Sequence, residues 1–147
     1  MKNFIIPPVF FVFGLAAITA CYFLFDSLNV IPFPFNLAGL LIAFGGFVLA
    51  GKVHKLFNKY KTTLEMNKSN HLIDEGVFKI TRNPMYVGMF LFLFGIAFCF
   101  GNLASIGISI LFIILIAIVF VHSEEKMLTE TFGTKYLDYK EKTRRWI

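Results

Sequence analysis

The sequence predicts an all-α, polytopic membrane protein with about four transmembrane helices. Of its 147 residues, 57% are hydrophobic and 20 are phenylalanine, which lies outside the range of an ordinary soluble domain. Four apolar stretches, at about 4–25, 35–51, 85–100 and 103–121, approach the roughly 20 residues that a helix needs to cross a bilayer. Because little chain is left for a soluble module, we expect residues 1–147 to form a single membrane-embedded domain.

The first apolar stretch, 4–25, has two interpretations. A membrane helix tolerates the proline pair that begins at Pro7, because the pair lies near the helix end. Alternatively, a basic start and an apolar run before Cys21 resemble a bacterial lipoprotein signal, in which Cys21 would carry the lipid. We expect a retained span, since the stretch is long enough to cross a bilayer and the chain keeps Met1.

The connections between stretches also carry signals. Gly101-Asn102 alone separates the third and fourth stretches, which predicts an antiparallel helical hairpin. After the second stretch, apolar residues continue at helical spacing, so the second helix is expected to extend as an amphipathic segment on the membrane surface. These apolar residues are Val53, Leu56, Phe57, Tyr60 and Leu64.

The rest of the middle loop predicts a break, a turn and an extended segment. The polar run 67–70 is expected to end the amphipathic helix. Asp74-Glu75-Gly76 indicates a turn, and residues 77–81 are expected to be extended up to the start of the third helix.

Basic residues predict that both termini and the middle loop face the cytosol, because Lys and Arg are retained on that side of a membrane. The connections at 26–34 and 101–102 contain neither residue. The basic residues of the loop and the tail are Lys52, Lys55, Lys59, Lys61, Lys68, Lys79, Arg82, Lys126, Lys135, Lys140, Lys142, Arg144 and Arg145. This topology and attraction to anionic lipid explain the net charge of +5, so we expect no nucleic-acid partner. We expect the protein to lie in the inner membrane of a bacterium or archaeon.

A polar motif precedes the third helix. Asn83 stands before Pro84, as expected of a helix N-cap followed by proline at the first helical position. The free N–H groups of such a helix start favour an anion, for instance the carboxylate of an amino-acid-like cofactor. Tyr86 could place its ring beside a sulfonium cation. Alternatively, Asn83 only caps the helix, Arg82 only reaches lipid phosphate, and Tyr86 only anchors the helix at the interface.

Small residues and cysteines within the spans have structural interpretations. Gly88, Gly95 and Cys99 share a helical face, which predicts close packing against the fourth helix. Cys21 and Cys99 both lie inside apolar stretches, so we expect reduced packing residues and neither a disulfide nor a metal site.

Two carboxylates, Glu124 and Glu125, follow the fourth stretch. Both would face the unfavourable end of the helix macrodipole beside hydrocarbon, so we expect compensating partners. Because neighbouring helical residues point about 100° apart, one carboxylate could accept hydrogen bonds from a ribose while the other pairs with Arg82 or a tail arginine. Alternatively, the helix emerges into water and both carboxylates are solvated. Beyond them, a helix that ends at Gly133 and a second short amphipathic helix are predicted.

With these residues in view, the chain resembles the isoprenylcysteine carboxyl methyltransferase and phospholipid methyltransferase family of membrane enzymes. The likeness covers roughly the C-terminal half, 76–147. It is carried by Gly76-Val77-Phe78-Lys79-Ile80-Thr81-Arg82-Asn83-Pro84-Met85-Tyr86-Val87-Gly88, by Glu124-Glu125, and by Leu128, Phe132-Gly133, Tyr136, Tyr139 and Arg144-Arg145. Family members often carry His where this chain has Asn83 and Pro-Tyr where it has Val77-Phe78, so for Asn83 the resemblance implies a backbone or capping role.

The resemblance implies S-adenosylmethionine as methyl donor, held in a cytosol-facing pocket that the tail closes. It implies a lipophilic acceptor that enters from the bilayer, such as a phospholipid amine or a hydrophobic thiol or carboxylate. The implied cofactor-binding residues are Asn83, Tyr86, Gly88, Glu124, Glu125 and Tyr136. The implied catalytic residues are Arg82, which would orient the cofactor carboxylate or the substrate headgroup, and Glu125, which would assist the loss of a proton.

A non-enzymatic function is the alternative. Helices with faces of small residues could form a subunit of a transporter or a membrane scaffold. The small residues concerned are Gly39, Ala43, Ser105 and Ser109. A haem or metal site at His54 and His122 is a further alternative, but a lone interfacial histidine is more often a solvated hydrogen-bonding group, and we expect no metal. Nothing in the sequence indicates the oligomeric state.

Overall fold

A computed structural model of the chain describes residues 6–60 and 71–147. Its α-helices, numbered in chain order, are α1 (Ile6–Leu24), α2 (Ala38–Lys59), α3 (Pro84–Phe100), α4 (Leu103–Ile116), α5 (His122–Phe132) and α6 (Thr134–Lys142). A π-helical segment, Ala117–Val121, joins α4 to α5. Short 3-10 turns lie at Asp26–Leu28, Phe35–Leu37 and Gly76–Lys79. The described ranges contain no β-strand, and the all-α prediction is confirmed.

Three helical segments among the described residues are long and apolar enough to cross a membrane, namely Pro7–Leu24, Phe35–Lys59 and Leu103–Phe132. Helix α3 is also apolar but shorter, with 17 residues. Large apolar side chains on the outer faces are exposed, including Phe13 at 71% and Leu41 at 76%. Such a surface suits surrounding lipid, so the chain is a membrane protein with three to four helices able to span the bilayer.

Helix α3 occupies the centre of the helix packing. It contacts α1, α2 and α4, and α1 also packs along α4. The buried apolar side chains of α1, α3 and α4 form one cluster, which includes Ile18, Leu93, Ala97, Phe112 and Ile116. The position of α3 therefore depends on neighbours on several sides.

Helices α2 and α3 approach so closely that side chains are excluded at their contact. A Cβ added to Gly46 would lie 2.6 Å from both the Gly88 carbonyl oxygen and the Phe92 backbone nitrogen. Gly39 and Gly95 form a second contact of this kind. The prediction that the face of small residues on α3 packs against the fourth helix is therefore wrong. Small residues at helical spacing indicate that a neighbour comes close, but they do not identify the neighbour.

The turn between α3 and α4 confirms the predicted hairpin. Asn102 is fully buried, and its Oδ1 accepts a hydrogen bond of 3.0 Å from the Ser105 backbone nitrogen. Its Nδ2 donates to the Phe25 carbonyl oxygen and to Asn29 Oδ1, both at 2.8 Å. The connection between α1 and α2 is thereby fixed against the start of α4.

Helix α2 runs without a break to Lys59, which confirms that the second helix continues beyond its apolar stretch. Leu64 and the predicted break at 67–70 lie outside the described residues.

The segment before α3 differs from its prediction. Gly76 has a φ of +58°, as the predicted turn requires. An extended segment at 77–81 is wrong, because Gly76–Lys79 forms a 3-10 turn. The Tyr139 hydroxyl donates a hydrogen bond of 2.6 Å to the Phe78 carbonyl oxygen, so contacts with α6 override the local preference for extended backbone.

We expect Gly46→Ala to lower the free energy of unfolding by about 2 kcal/mol, because the added methyl group overlaps α3 backbone atoms that cannot rotate away. The matched control is Gly45→Ala, one position earlier on α2, where an added Cβ would meet no atom within 4 Å. Thermal unfolding of both variants in detergent, followed by circular dichroism, measures the difference. Equal unfolding midpoints in the two variants would contradict the close helix contact.

Candidate functional site

Glu125, on α5, is the buried centre of an ion cluster. Its residue surface is 6% exposed, and Arg145 donates to both of its oxygens, from Nε to Oε1 at 3.0 Å and from Nη2 to Oε2 at 2.7 Å. Arg82 Nη2 lies 3.2 Å from Oε1, and Lys140 Nζ lies 3.9 Å from Oε2. The expected pairing of one glutamate with Arg82 or a tail arginine is confirmed, since Glu125 pairs with both. The alternative of a solvated carboxylate is wrong for Glu125.

Glu124 contacts the first turn of α3. The Tyr86 hydroxyl donates a hydrogen bond of 2.5 Å to Glu124 Oε1. Tyr86 is only 6% exposed, so its ring lies inside the protein and does not anchor α3 at the interface. Tyr86 instead fixes one oxygen of this carboxylate.

Arg82 and Glu124 each keep buried polar atoms without a partner. The Arg82 side chain is 8% exposed, and its Nε and Nη1 make no hydrogen bond. Glu124 Oε2 is likewise buried and unpaired. An unmatched buried polar atom costs about 1–3 kcal/mol, and more when the group is charged. Such atoms are therefore where a polar ligand would bind.

The C-terminal strap, residues 143–146, lies against the segment before α3. The Arg82 backbone nitrogen donates to the Arg144 carbonyl oxygen at 2.9 Å. Thr81, which is 2% exposed, donates from Oγ1 to the Arg145 carbonyl oxygen at 3.0 Å. The end of the chain thus holds the backbone that carries Arg82.

As predicted, Asn83 directly precedes a helix that begins with Pro84. Its side chain makes no capping hydrogen bond. Asn83 Nδ2 instead donates to the Arg145 carbonyl oxygen at 3.0 Å. The predicted cap is therefore wrong for the side chain, because the strap offers an acceptor from a distant part of the sequence.

Helix α6 packs against the chain before α3 through two tyrosines. Tyr136 and Tyr139 are buried together with Leu72. Burial, with a smaller contribution from the Glu125 carboxylate, raises the pKa of Tyr136 to about 12. The Tyr136 hydroxyl therefore stays protonated near neutral pH.

Glu124 and Glu125 do not lie at a helix end. The helical course continues from α4 through Ala117–Val121 into α5, which ends at Phe132. The macrodipole argument for these carboxylates is wrong, because the free carbonyl groups of the helix end lie about two turns further along the chain. Gly133, with a φ of +53°, ends α5, and α6 follows it as predicted.

The π-helical segment determines where the two carboxylates point. A π turn contains about one residue more than an α turn, so it rotates all following side chains by about 100°. With this rotation Glu124 meets Tyr86, and Glu125 meets Arg82. The apolar sequence of Ala117–Val121 carries no signal that would have predicted the π turn.

Most of the predicted site residues lie in or beside this cluster. They are Arg82, Asn83, Tyr86, Glu124, Glu125 and Tyr136. Gly88 instead lies in the contact with α2, where an added Cβ would be 3.1 Å from the Gly46 carbonyl oxygen. Thr81 and Lys140 were not predicted as site residues, because their roles depend on how the tail folds back.

His54, His122 and the two cysteines lie outside this cluster. His54 Nε2 is 3.1 Å from Asn58 Nδ2 on α2, and His122 is exposed. Cys21 and Cys99 are both free thiols. Among the residues that the structure describes, no group of three or more His, Cys, Asp or Glu side chains could hold a metal ion.

Residues 35–135 match a protein-family model described as phospholipid methyltransferase. The match covers more than half of the chain, from the turn before α2 to the first residues of α6. It includes Arg82, Tyr86, Glu124 and Glu125, whereas the strap lies beyond it. No curated protein and no solved structure gives a significant match.

We expect Glu125→Gln to lower the free energy of unfolding by on the order of 3 kcal/mol, because buried Arg82 and half-exposed Arg145 would lose their shared counter-charge. Glu130→Gln is the matched control, since Glu130 is exposed on the same helix and the substitution removes the same charge. Thermal unfolding in detergent compares the two variants. A Glu125→Gln midpoint equal to that of Glu130→Gln would exclude a stabilising role for the ion cluster.

Proposed function

Because the chain belongs to the phospholipid methyltransferase family, we propose that it transfers a methyl group from S-adenosylmethionine to a lipophilic acceptor at the cytosolic face of the membrane. The family suggests methyltransferase activity. The observation that supports this donor is the set of unmatched buried atoms, with donors on Arg82 and an acceptor on Glu124, whose other oxygen Tyr86 holds.

These atoms fit the amino-acid end of S-adenosylmethionine, which carries a carboxylate and an ammonium group. Arg82 would donate to the carboxylate from Nε or Nη1, the two nitrogens that Glu125 leaves free. Glu124 Oε2 would accept from the ammonium group, while Tyr86 holds Oε1 in place. When bound, the cofactor supplies an electrophilic methyl group on a sulfonium.

The residues of the chain contribute mainly by positioning. Holding a donor and an acceptor about 3 Å apart in the reactive geometry can supply much of a methyl transfer's acceleration. Both oxygens of Glu125 already accept from Arg145, and Oε1 also faces Arg82. These contacts favour a positioning role for Glu125, and its participation as a general base stays a prediction.

The distribution of Lys and Arg supports a cytosolic site, and the exposed apolar faces of the helices support a lipophilic acceptor. The turn before Arg82 packs against the end of α2, where the ring centroids of Phe57 and Phe78 are 6.0 Å apart. This end of α2 carries Lys52, Lys55 and Lys59, whereas the connections at 26–34 and 101–102 lack Lys and Arg. A cytosolic site is therefore favoured. The exposed apolar faces of the helices would let a phospholipid amine, or a hydrophobic thiol or carboxylate, approach from the bilayer.

The small residues that suggested a scaffold or transporter subunit already make contacts within the chain. Gly39 and Ala43 pack against α3. Ser105 Oγ donates to the Ile18 carbonyl oxygen at 2.8 Å, and Ser109 Oγ to the Ile106 carbonyl oxygen at 2.7 Å. The structure therefore gives no separate observation in favour of a scaffold or transporter subunit.

We expect nanodisc-embedded protein to bind S-adenosylmethionine and S-adenosylhomocysteine saturably in calorimetry. Arg82→Ala and Glu124→Gln should each weaken binding by about tenfold or more, because each removes a charged partner of the cofactor's amino-acid end.

The matched controls for this titration are Lys79→Ala, on the same loop as Arg82, and Glu130→Gln, on the same helix as Glu124. Both control side chains are exposed, and both should leave binding unchanged. No binding by folded wild-type protein in lipid and in detergent would refute the methyltransferase proposal and favour the scaffold alternative.

We further expect methyl label from S-adenosylmethionine to enter the lipid fraction when the nanodiscs contain a phospholipid with a primary amine headgroup. Nanodiscs of a phospholipid with a quaternary ammonium headgroup are the matched control, because that nitrogen has no lone pair to accept a methyl group. Label in neither lipid, despite cofactor binding, would exclude the phospholipid amine and leave the thiol and carboxylate acceptors.

A further inference from the structure

We propose that Arg145 is the positioning residue of this site and that docking of the C-terminal strap keeps Arg82 available to the cofactor. The proposal rests on the proposed function for the identity of the ligand. The contacts of Arg145 itself are independent of it.

The Arg145 side chain pairs with Glu125, the carboxylate with which Arg82 would otherwise pair fully. Arg145 makes two hydrogen bonds to Glu125, at 3.0 and 2.7 Å, whereas Arg82 makes one contact at 3.2 Å. Two-point pairing of a guanidinium with a carboxylate is the stronger and more directional arrangement. With both Glu125 oxygens engaged in this way, Arg82 Nε and Nη1 remain without a protein partner.

The backbone of Arg145 holds the segment that carries Arg82. Its carbonyl oxygen accepts from Thr81 Oγ1 and from Asn83 Nδ2, each at 3.0 Å. These two residues flank Arg82, whose backbone nitrogen donates to the Arg144 carbonyl oxygen at 2.9 Å. Docking of the strap therefore sets both the backbone position and the free donors of Arg82.

The ion pair that docks the strap is partly exposed to water. The Arg145 side chain is 45% exposed while that of Glu125 is 8% exposed, so breaking this pair returns the arginine readily to water. Trp146 packs against the buried cluster that includes Tyr86 and Val121. A ligand that binds the docked arrangement more tightly than the undocked one must stabilise docking by the same factor by which docking strengthens its binding.

Trp146 makes this coupling measurable, because it is the only tryptophan in the chain. In nanodiscs, saturating S-adenosylhomocysteine should reduce acrylamide quenching of Trp146 fluorescence in the wild-type protein. Arg145→Ala should increase quenching without ligand and weaken S-adenosylhomocysteine binding in calorimetry by about tenfold. Arg145→Lys, which keeps the charge but not the two-point pairing, should bind with intermediate affinity.

Lys142→Ala is the matched control, since it removes one exposed positive charge at the end of α6 and should change neither readout. If Arg145→Ala does not fold, the reduced affinity of Arg145→Lys decides the question. Wild-type affinity in the Arg145 variants, or Trp146 quenching that responds neither to ligand nor to substitution, would overturn the proposal. Absence of binding by the wild-type protein would instead refute the proposed function, and the ligand-free quenching of Arg145→Ala would still report whether Arg145 docks the strap.

Discussion

The burial of one carboxylate beside three cations is the constraint on which the site depends. Glu125 is buried shortly after the apolar stretch 103–121, where an unpaired charge would be strongly destabilising. Its partners come from the loop before α3, from α6 and from the tail, namely Arg82, Lys140 and Arg145. A single cluster therefore fixes four parts of the chain relative to one another. Because three positive groups face one negative group, the cluster also retains positive charge for an anionic ligand.

The helix packing determines whether that cluster can form. Glycine contacts hold α3 against α2, and the buried Asn102 holds the far end of α3 against the connection from α1. With α3 fixed along its length, Tyr86 in its first turn reaches Glu124, and Arg82 just before it reaches Glu125. The π turn between α4 and α5 supplies the rotation that brings both carboxylates to these partners.

Local and periodic signals were readable from the sequence, and distant pairings were not. Apolar stretches of near-spanning length predicted the helices, and Gly101 and Gly133 predicted their boundaries, because these features act over a few residues. The Asn83 side chain was misassigned because its acceptor lies 62 residues further along the chain. Likewise the small face around Gly88 predicted a close neighbour, but only the three-dimensional packing identifies that neighbour as α2.

The pattern of unmatched atoms favours one kind of ligand over others. In the described part of the chain, four buried side-chain polar atoms lack a partner; three belong to Arg82 and Glu124, and the fourth is Asn36 Oδ1. A simple anion would satisfy Arg82 and leave Glu124 unmatched, and a simple cation would do the reverse. A zwitterion would match both charges, and an amino-acid end carries its two charges on groups attached to one carbon. Because Glu125 is already paired, selectivity for the ligand lies with Arg82 and Glu124.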